Sequence, residues 1–393
     1  MPPPEPAPTL PVELLEQIFL RLPPDEPAWL VRASLASKFW LGLLTGTRFQ
    51  GLYREFHGAP PMLGFLYNWP LEYAPEEEDT APHFVSTTKF GAHNLNWEDY
   101  NVLDCRHGRV LLFHVNWSSG EGKLIVWNPI TGCRKAVGAP DVFCSIWAAV
   151  LCPVTDCDHR ACHEGPFRVV FVGLDKVGGG YLAYDGVSSP ETDGIEWGET
   201  SHGFDHLLDN GDVQPLPPVL VHDALHFMLV HDDDHVGVLK YDLLSTELSL
   251  IDAPLAETDD ARDVILMAME GGSLGFAHVD GLTFNLWSRH MGDSDGAVAW
   301  TQRIVINLRE LLPIRNPEKR LRLIGSVEGC DIVFVTTDLG IYEINLKSLQ
   351  QKKIWKREKY SALFPYMSFY SPQGTEYVDK NNLEMAKCKV GRS

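Results

Sequence analysis

Basic residues are in short supply: 33 Lys and Arg stand against 53 Asp and Glu in 393 residues, a formal net charge of −20. A nucleic-acid binder needs a basic face to displace counterions, and attachment to anionic lipid needs one too. Partners of neither kind are expected: no nucleic acid and no membrane. Long apolar runs are also missing, since none approaches the roughly 20 residues that span a bilayer. The opening MPPPEPAPT has no basic stretch followed by an apolar one, so it does not read as a secretory signal. Cysteine is sparse, eight residues scattered over the chain. That argues against a disulfide framework and for reduced thiols in a cytoplasmic and/or nuclear protein. Catalytic signatures are lacking as well. There is no Gly-x-Ser-x-Gly elbow and no His-Glu-x-x-His. The glycine-rich Val177–Tyr181 is followed by neither Lys-Ser/Thr nor a helix, so it reads as a hairpin turn and not a phosphate cradle.

What is present is ordinary globular material, 45% hydrophobic and 22% charged, enough for a small module and one large domain. Residues 10–44 are organised as two or three short helices. Pro11 stands where a first helical turn tolerates proline, and Glu13 favours the positive end of the helix dipole. Leu14, Leu15, Ile18, Phe19 and Leu22 recur at helical spacing. Pro23-Pro24 stop that helix. Asp25 is positioned to cap a second one carrying Trp29, Leu30 and Ala33. Phe39, Trp40, Leu43 and Leu44 make a third stripe. Thr47–Phe56 continues as a linker helix with Phe49, Leu52, Tyr53 and Phe56 on one face. So small a module cannot bury all these side chains internally, and an exposed apolar patch marks a partner site.

Leu10-Pro11, Glu13-Leu14-Leu15, Ile18, Arg21-Leu22-Pro23, Leu30, Arg32 and Ser37-Lys38-Phe39-Trp40 follow the order and spacing of an F-box, which this stretch resembles. The resemblance implies docking on a Skp-type adaptor and through it a cullin ubiquitin ligase. It implies adaptor contacts at Leu10, Pro11, Leu14, Ile18, Leu22, Pro23, Leu30 and Trp40. An N-terminal F-box before a β-rich repeat domain is similar to the plant F-box families whose C-terminal propeller-like domain receives a protein substrate.

From Met62 to near residue 375 helical periodicity gives way to short β-rich runs punctuated by Gly, Asp, Asn and Pro. A faint repeat ends a strand in an aromatic or apolar residue and a polar one, followed by a turn. It appears at Trp127-Asn128, Tyr184-Asp185, Tyr241-Asp242 and, fainter, Ile344-Asn345, with Leu286-Trp287-Ser288 between the last two. Each unit has a preceding strand begun after a turn, as at Arg106-His107-Gly108-Arg109. Glu247–Ile251 and Lys352–Trp355 read as edge strands, the lysines of 347–359 deterring edge pairing. One such antiparallel unit leaves both faces uncovered; radial repetition buries them against neighbours. The expected fold is therefore α+β multidomain: a disordered leader at 1–9, the F-box and linker helix at 10–57, an irregular β-propeller of about six blades at 62–375, and a flexible tail at 376–393. A pair of β-sandwiches is the alternative architecture. No Trp-Asp dipeptide or paired-glycine kelch signature settles the propeller type.

Two clusters invite a metal. Cys152, Cys157, His159, Cys162 and His163 share one twelve-residue stretch, but their spacing fits no two-plus-two zinc pattern, and one loop offers no second anchoring element. His231-Asp232-Asp233-Asp234-His235 reads as a polar turn between strands. No metal, cofactor or catalytic residue is assigned to either. Trp127, Trp287 and Trp355 read as blade core, whereas Trp69, Trp97, Trp117 and Trp197 lie near loops. The functional expectation is a non-catalytic substrate-recognition subunit of a Skp/cullin/F-box ubiquitin ligase. The alternatives are a propeller-based enzyme and an interaction protein outside any ligase.

Overall fold

The computed structural model describes residues 10–68, 84–93, 100–116, 121–140, 143–160, 162–175, 180–188, 194–198, 201–203, 211–231, 235–257, 264–289, 299–356, 362–370 and 372. The leader, the acidic stretch 72–82, the tail 376–393, Trp69, Trp97, Trp117, residues 177–179 and 232–234 and Cys388 lie outside them.

Four helices come first: α1 (Val12–Leu20), α2 (Ala28–Ala36), α3 (Lys38–Thr45) and α4 (Thr47–His57). Pro11 is the N-cap of α1 and Glu13 lies in its first turn. The second helix begins differently from expectation: Pro27, not Asp25, is its N-cap, and no side chain caps it. Proline there presets a helical φ of −58° and takes the place a capping side chain would hold. Ser37 caps α3 by accepting from Phe39 N–H.

The remainder is a six-bladed β-propeller. The blade that closes the ring joins both ends of the domain. β1 (Met62–Asn68) pairs with β2 (Phe84–Ser86) on one side and with the last strand, β25 (Ala362–Met367), on the other. The next blade is β3 (Asn101–Arg106), β4 (Arg109–Asn116), β5 (Glu121–Trp127) and β6 (Arg134–Gly138). The third comprises β7 (Phe143–Leu151), β8 (Arg168–Asp175) and β9 (Tyr181–Ser188), whose outer edge is shared by β10 (Ile195–Trp197) and β11 (Ser201–Gly203). In the fourth, the inner strand is broken into β12 (Gly211–Val213) and β13 (Val219–Val221), because Pro215, Pro217 and Pro218 cannot donate to the ladder. β14 (Ala224–His231), β15 (His235–Asp242) and β16 (Leu248–Glu257) complete it. The fifth is β17 (Val264–Ala268), β18 (Leu274–Asp280), β19 (Thr283–Arg289) and β20 (Thr301–Asn307), followed by the short α5 (Leu308–Leu311). The sixth is β21 (Arg322–Val327), β22 (Ile332–Thr337), β23 (Gly340–Asn345) and β24 (Gln351–Trp355).

The radial arrangement follows from the period of two along each strand. Val110 and Leu112 of β4 pack toward the closing blade with Leu66 and Phe364. Leu111 and Phe113 face the other way, against Val150 and Phe171 of the third blade. Six apolar clusters fill the six blade-to-blade interfaces in this manner. Inner strands approach closely where the ring closes. At Gly325, φ is +158° and an added Cβ would lie 2.5 Å from the Leu363 carbonyl oxygen, so only glycine fits beside β25.

The repeat is partly real. Asn128, Asp242 and Asn345 occupy the same turn, between the third and fourth strands of alternate blades. Each carboxyl or amide Oδ1 accepts two N–H groups of the turn: from Ile130 and Thr131, from Leu244 and Ser245, and from Lys347 and Ser348. Each turn closes through a positive-φ residue, Gly132, Thr246 or Leu349. The Tyr184-Asp185 instance is instead inside β9, and Leu286-Trp287-Ser288 is inside β19. Asp185 pairs with Arg168 and accepts from the Tyr241 hydroxyl at 3.2 Å, an interblade role with nothing of a turn in it. Trp127 is blade core, whereas Trp287 and Trp355 are half-buried. Cys105, Cys152, Cys157, Cys162 and Cys330 are free thiols, but Cys133 departs from the expected reduced state and is disulfide-bonded.

His226 on β14 is fully buried, with Nδ1 3.3 Å from the Val219 carbonyl oxygen. Burial lowers its pKa to about 4. In the unfolded chain it titrates near 6.5, so the folded state disfavours its proton between these values. Its contribution is present above 6.5 and lost as pH falls through about 4, roughly 3 kcal/mol at 1.36 per unit. His226→Phe removes this loss. Urea midpoints at pH 4.5 and 7 will differ less for the variant than for the wild type, and an unchanged difference would refute the assignment.

Candidate functional site

The helical module carries two apolar faces. Leu15, Phe19 and Leu20 of α1, Leu30 of α2, Leu44 of α3 and Phe49 and Tyr53 of α4 form its core. Phe369, just beyond β25, inserts into that core and rests edge-on against Tyr53 at 6.0 Å. The Tyr53 hydroxyl donates to the Leu22 carbonyl, and His57 lies 2.8 Å from that of Leu20. Burial, then the nearby Asp25, pushes the Tyr53 pKa upward, so the hydroxyl stays a donor.

The second face of α1 has no such cover. Leu14 and Ile18, one turn apart, are 51% and 50% exposed, and Leu10 at the helix entry is 54% exposed. Pro11 and Pro23 are exposed, Leu22 is half-buried, and Trp40 is half-buried edge-on to Phe19 at 5.1 Å. Leu30, the remaining motif position, is sealed in the core. Val12, Trp29, Leu35, Phe39 and Phe56 are exposed as well. The helical stripe alone could not tell Leu14 from Leu15, because both follow the same spacing and only packing decides which is covered.

A second concave feature lies on the propeller axis. A cavity of about 370 Å³ is bounded by the inner strands, by the first-to-second-strand turns and by Ala59-Pro60 directly after α4. Asp104 and Arg106 reach its wall from β3. The Arg106 guanidinium donates to Asp104 at 2.8 Å, to Glu328 at 2.7 Å and to the Pro218 carbonyl at 2.9 Å. Asp104 also accepts from Cys105 and Val150 N–H, both at 2.9 Å. One network, buried except at Glu328, thus joins the second, third, fourth and sixth blades around the axis. Burial outweighs Arg106 and the two amide donors and lifts the Asp104 pKa to about 6. At His107, burial and then the Arg106 charge drop the pKa to about 2, so the ring is neutral. In the sequence Arg106 and His107 read only as residues of a turn before a strand. The available signal was an Asp-x-Arg pair on one face of an otherwise apolar strand.

Beside the cavity mouth, Cys152, Cys157, His159 and Cys162 of the β7–β8 connection bring their sulfur and ring-nitrogen atoms within 4.8 Å of one another. His231 ends β14 and His235 begins β15, two strands that pair antiparallel.

A helical cluster with an uncovered apolar face, set on a six-bladed propeller that closes by joining its first and last strands, defines the class: a small helical module followed by a β-propeller. The second of these parts identifies the family. Residues 101–373 match the model for "F-box protein AT5G49610-like, beta-propeller", and the chain belongs to that family. No curated protein matches the chain. Among solved structures, TolB from Acinetobacter baumannii is similar at TM-score 0.37 and 10% identity, over 77% of this chain and 67% of that one. The GH93 α-L-arabinofuranosidase of Fusarium graminearum is similar at 0.39 and 13%, over 70% and 87%. The WD40 domain of SCAP from fission yeast is similar at 0.35 and 12%, over 71% and 55%. At these scores the likeness says nothing about activity or ligand.

Proposed function

We propose that residues 10–57 are an F-box that docks a Skp-type adaptor, and that the propeller presents a protein substrate to the attached cullin ligase, in the cytoplasm and/or nucleus. The carrying observation is the half-exposed row Leu10, Leu14 and Ile18 on a module whose own core is already filled. An apolar row of this kind gains free energy by leaving water, and an adaptor groove supplies that burial. The chain itself does no covalent chemistry in this reading. It raises the effective concentration of a substrate lysine near the conjugating enzyme. In support, the two carboxylates at the axial cavity, Asp104 and Glu328, are both engaged by Arg106. The test is co-expression with a Skp-type adaptor followed by gel filtration. Co-elution as a stable complex supports the proposal; a folded chain that elutes apart from the adaptor overturns it.

A further inference from the structure

We propose that Cys152, Cys157, His159 and Cys162 form a structural zinc site that clamps the propeller to the end of the linker helix. The four residues sit in a single connection of the third blade. Cys152 leaves β7 directly; Cys157 follows a turn whose Asp156 has φ +54°; Cys162 opens a 3-10 turn, Cys162–Glu164. Their ligand atoms lie within 4.8 Å of one another, and the Cys162 sulfur is 3.9 Å from His159 Nδ1. Around tetrahedral zinc, with bonds of about 2.3 Å to sulfur and 2.0–2.1 Å to nitrogen, neighbouring donors stand roughly 3.5–3.8 Å apart. Small side-chain rotations close the difference. Three thiolates and one imidazole suit zinc and leave no open coordination position, which is the pattern of a structural site and not a catalytic one.

The surroundings fit the charge of such a centre. Zinc with three thiolates and a neutral imidazole carries one net negative charge, the three thiol protons having gone to solvent. Arg109 is 2% exposed, and its guanidinium donates to the Cys162 sulfur at 3.8 Å and to the carbonyls of Cys162, Gly165 and Pro166. A buried cation whose partners are carbonyls and a thiol gains from a neighbouring anion. The His159 ring stacks on His107 at 4.1 Å and 10°, which fixes its plane as a second anchor for the loop. This is the anchoring element that the sequence of the loop alone does not reveal.

Arg160, between two ligands, carries the clamp. Held by Asp158 at 2.6 and 2.9 Å, it donates to the carbonyls of Arg54 at 2.9 Å and Gly58 at 3.1 Å, at the C-terminal end of α4. The Arg54 carbonyl also accepts from Gly58 N–H at 2.9 Å, so Arg160 grips the turn that closes α4. Metal binding therefore orders the residue that ties the helical module to the blade. The metal site stands whether or not the module docks an adaptor.

The test is elemental analysis of the full-length chain, purified reduced with zinc sulfate and then desalted. About one zinc per chain is expected, as is cobalt(II) substitution giving tetrahedral d–d bands with thiolate charge transfer. Cys157→Ser and Cys162→Ser lose the metal, Cys330→Ser keeps it, and Arg160→Ala keeps it while hydrogen exchange across residues 152–166 stays slow. Chelation of the wild type speeds exchange there and at 54–60. A folded wild-type chain without stoichiometric zinc overturns the proposal, and so does zinc retained by both cysteine variants. Because the wild-type measurement needs no variant to fold, and adaptor binding is read separately, failure here is distinct from failure of the docking proposal.

Discussion

Leu14→Glu combined with Ile18→Glu will leave the chain folded and abolish co-purification with a Skp-type adaptor. Both side chains are half exposed, so the substitutions cost the isolated chain little, within about 0.5 kcal/mol each. The complex is another matter. A carboxylate carried into an apolar interface without a partner loses its hydration, a penalty of several kcal/mol. Truncating a central apolar anchor alone is worth about 2 kcal/mol or more at hot spots. Together these predict at least on the order of a 100-fold weaker affinity, since 1.4 kcal/mol is tenfold. Leu15→Glu makes the contrasting variant: it strikes the filled core beside Phe19 and Leu44 and unfolds the module. Circular dichroism and pulldown read together separate the two. Undiminished binding by the folded double variant would remove α1 from the interface.

Arg106→Met is expected to have the largest effect on stability, about 3–5 kcal/mol, because it leaves a buried carboxylate without its cation. Asp104 is 1% exposed, and its pKa already stands near 6 with Arg106 in place. Without the guanidinium only the amide donors of Cys105 and Val150 still favour its charged form, and the pKa climbs further. Glu328, which is more exposed, turns to water and loses less. The Pro218 carbonyl loses a donor, which loosens the inner strand of the fourth blade where proline already interrupts it. Urea unfolding at pH 7.5 will show the lowered midpoint. Asp104→Asn added to Arg106→Met will recover a good part of the loss, since it removes the stranded charge and keeps an acceptor for Val150 N–H. A variant as stable as the wild type would mean that the network does not hold the blades together.

The acid side of the stability curve has opposing contributors. The raised Asp104 pKa favours the folded state as pH falls from about 6 toward 3.8, whereas the lowered pKa values of His226 and His107 penalise it over much of the same range. Among these three buried groups the two histidines oppose the one carboxyl, and their joint contribution falls on acidification.

Much of this molecule is legible from local pattern. Amphipathic spacing marks α1, α3 and α4, and proline marks where α1 stops. The hairpin turn at His107-Gly108 and the Asx acceptors Asn128, Asp242 and Asn345 are written in turn-forming residues, although Thr246 and Leu349 close two of those turns at positive φ. The apolar runs of the strands require both faces to be covered, and six packed interfaces are the outcome. Tyr184-Asp185 shows the limit of such reading, since its regular interval put a turn where β9 runs straight through.

By itself the sequence determined the order of parts, a small helical module and then repeated antiparallel units, because helix and strand periods and turn chemistry act between residues a few positions apart. Tertiary structure decided which side of α1 is sealed, how Arg106 meets a carboxylate more than two hundred residues away, and that three thiols and an imidazole of irregular spacing converge. Those outcomes depend on how the closed ring and the docked helices place distant backbone, and no periodicity in the chain encodes that distance.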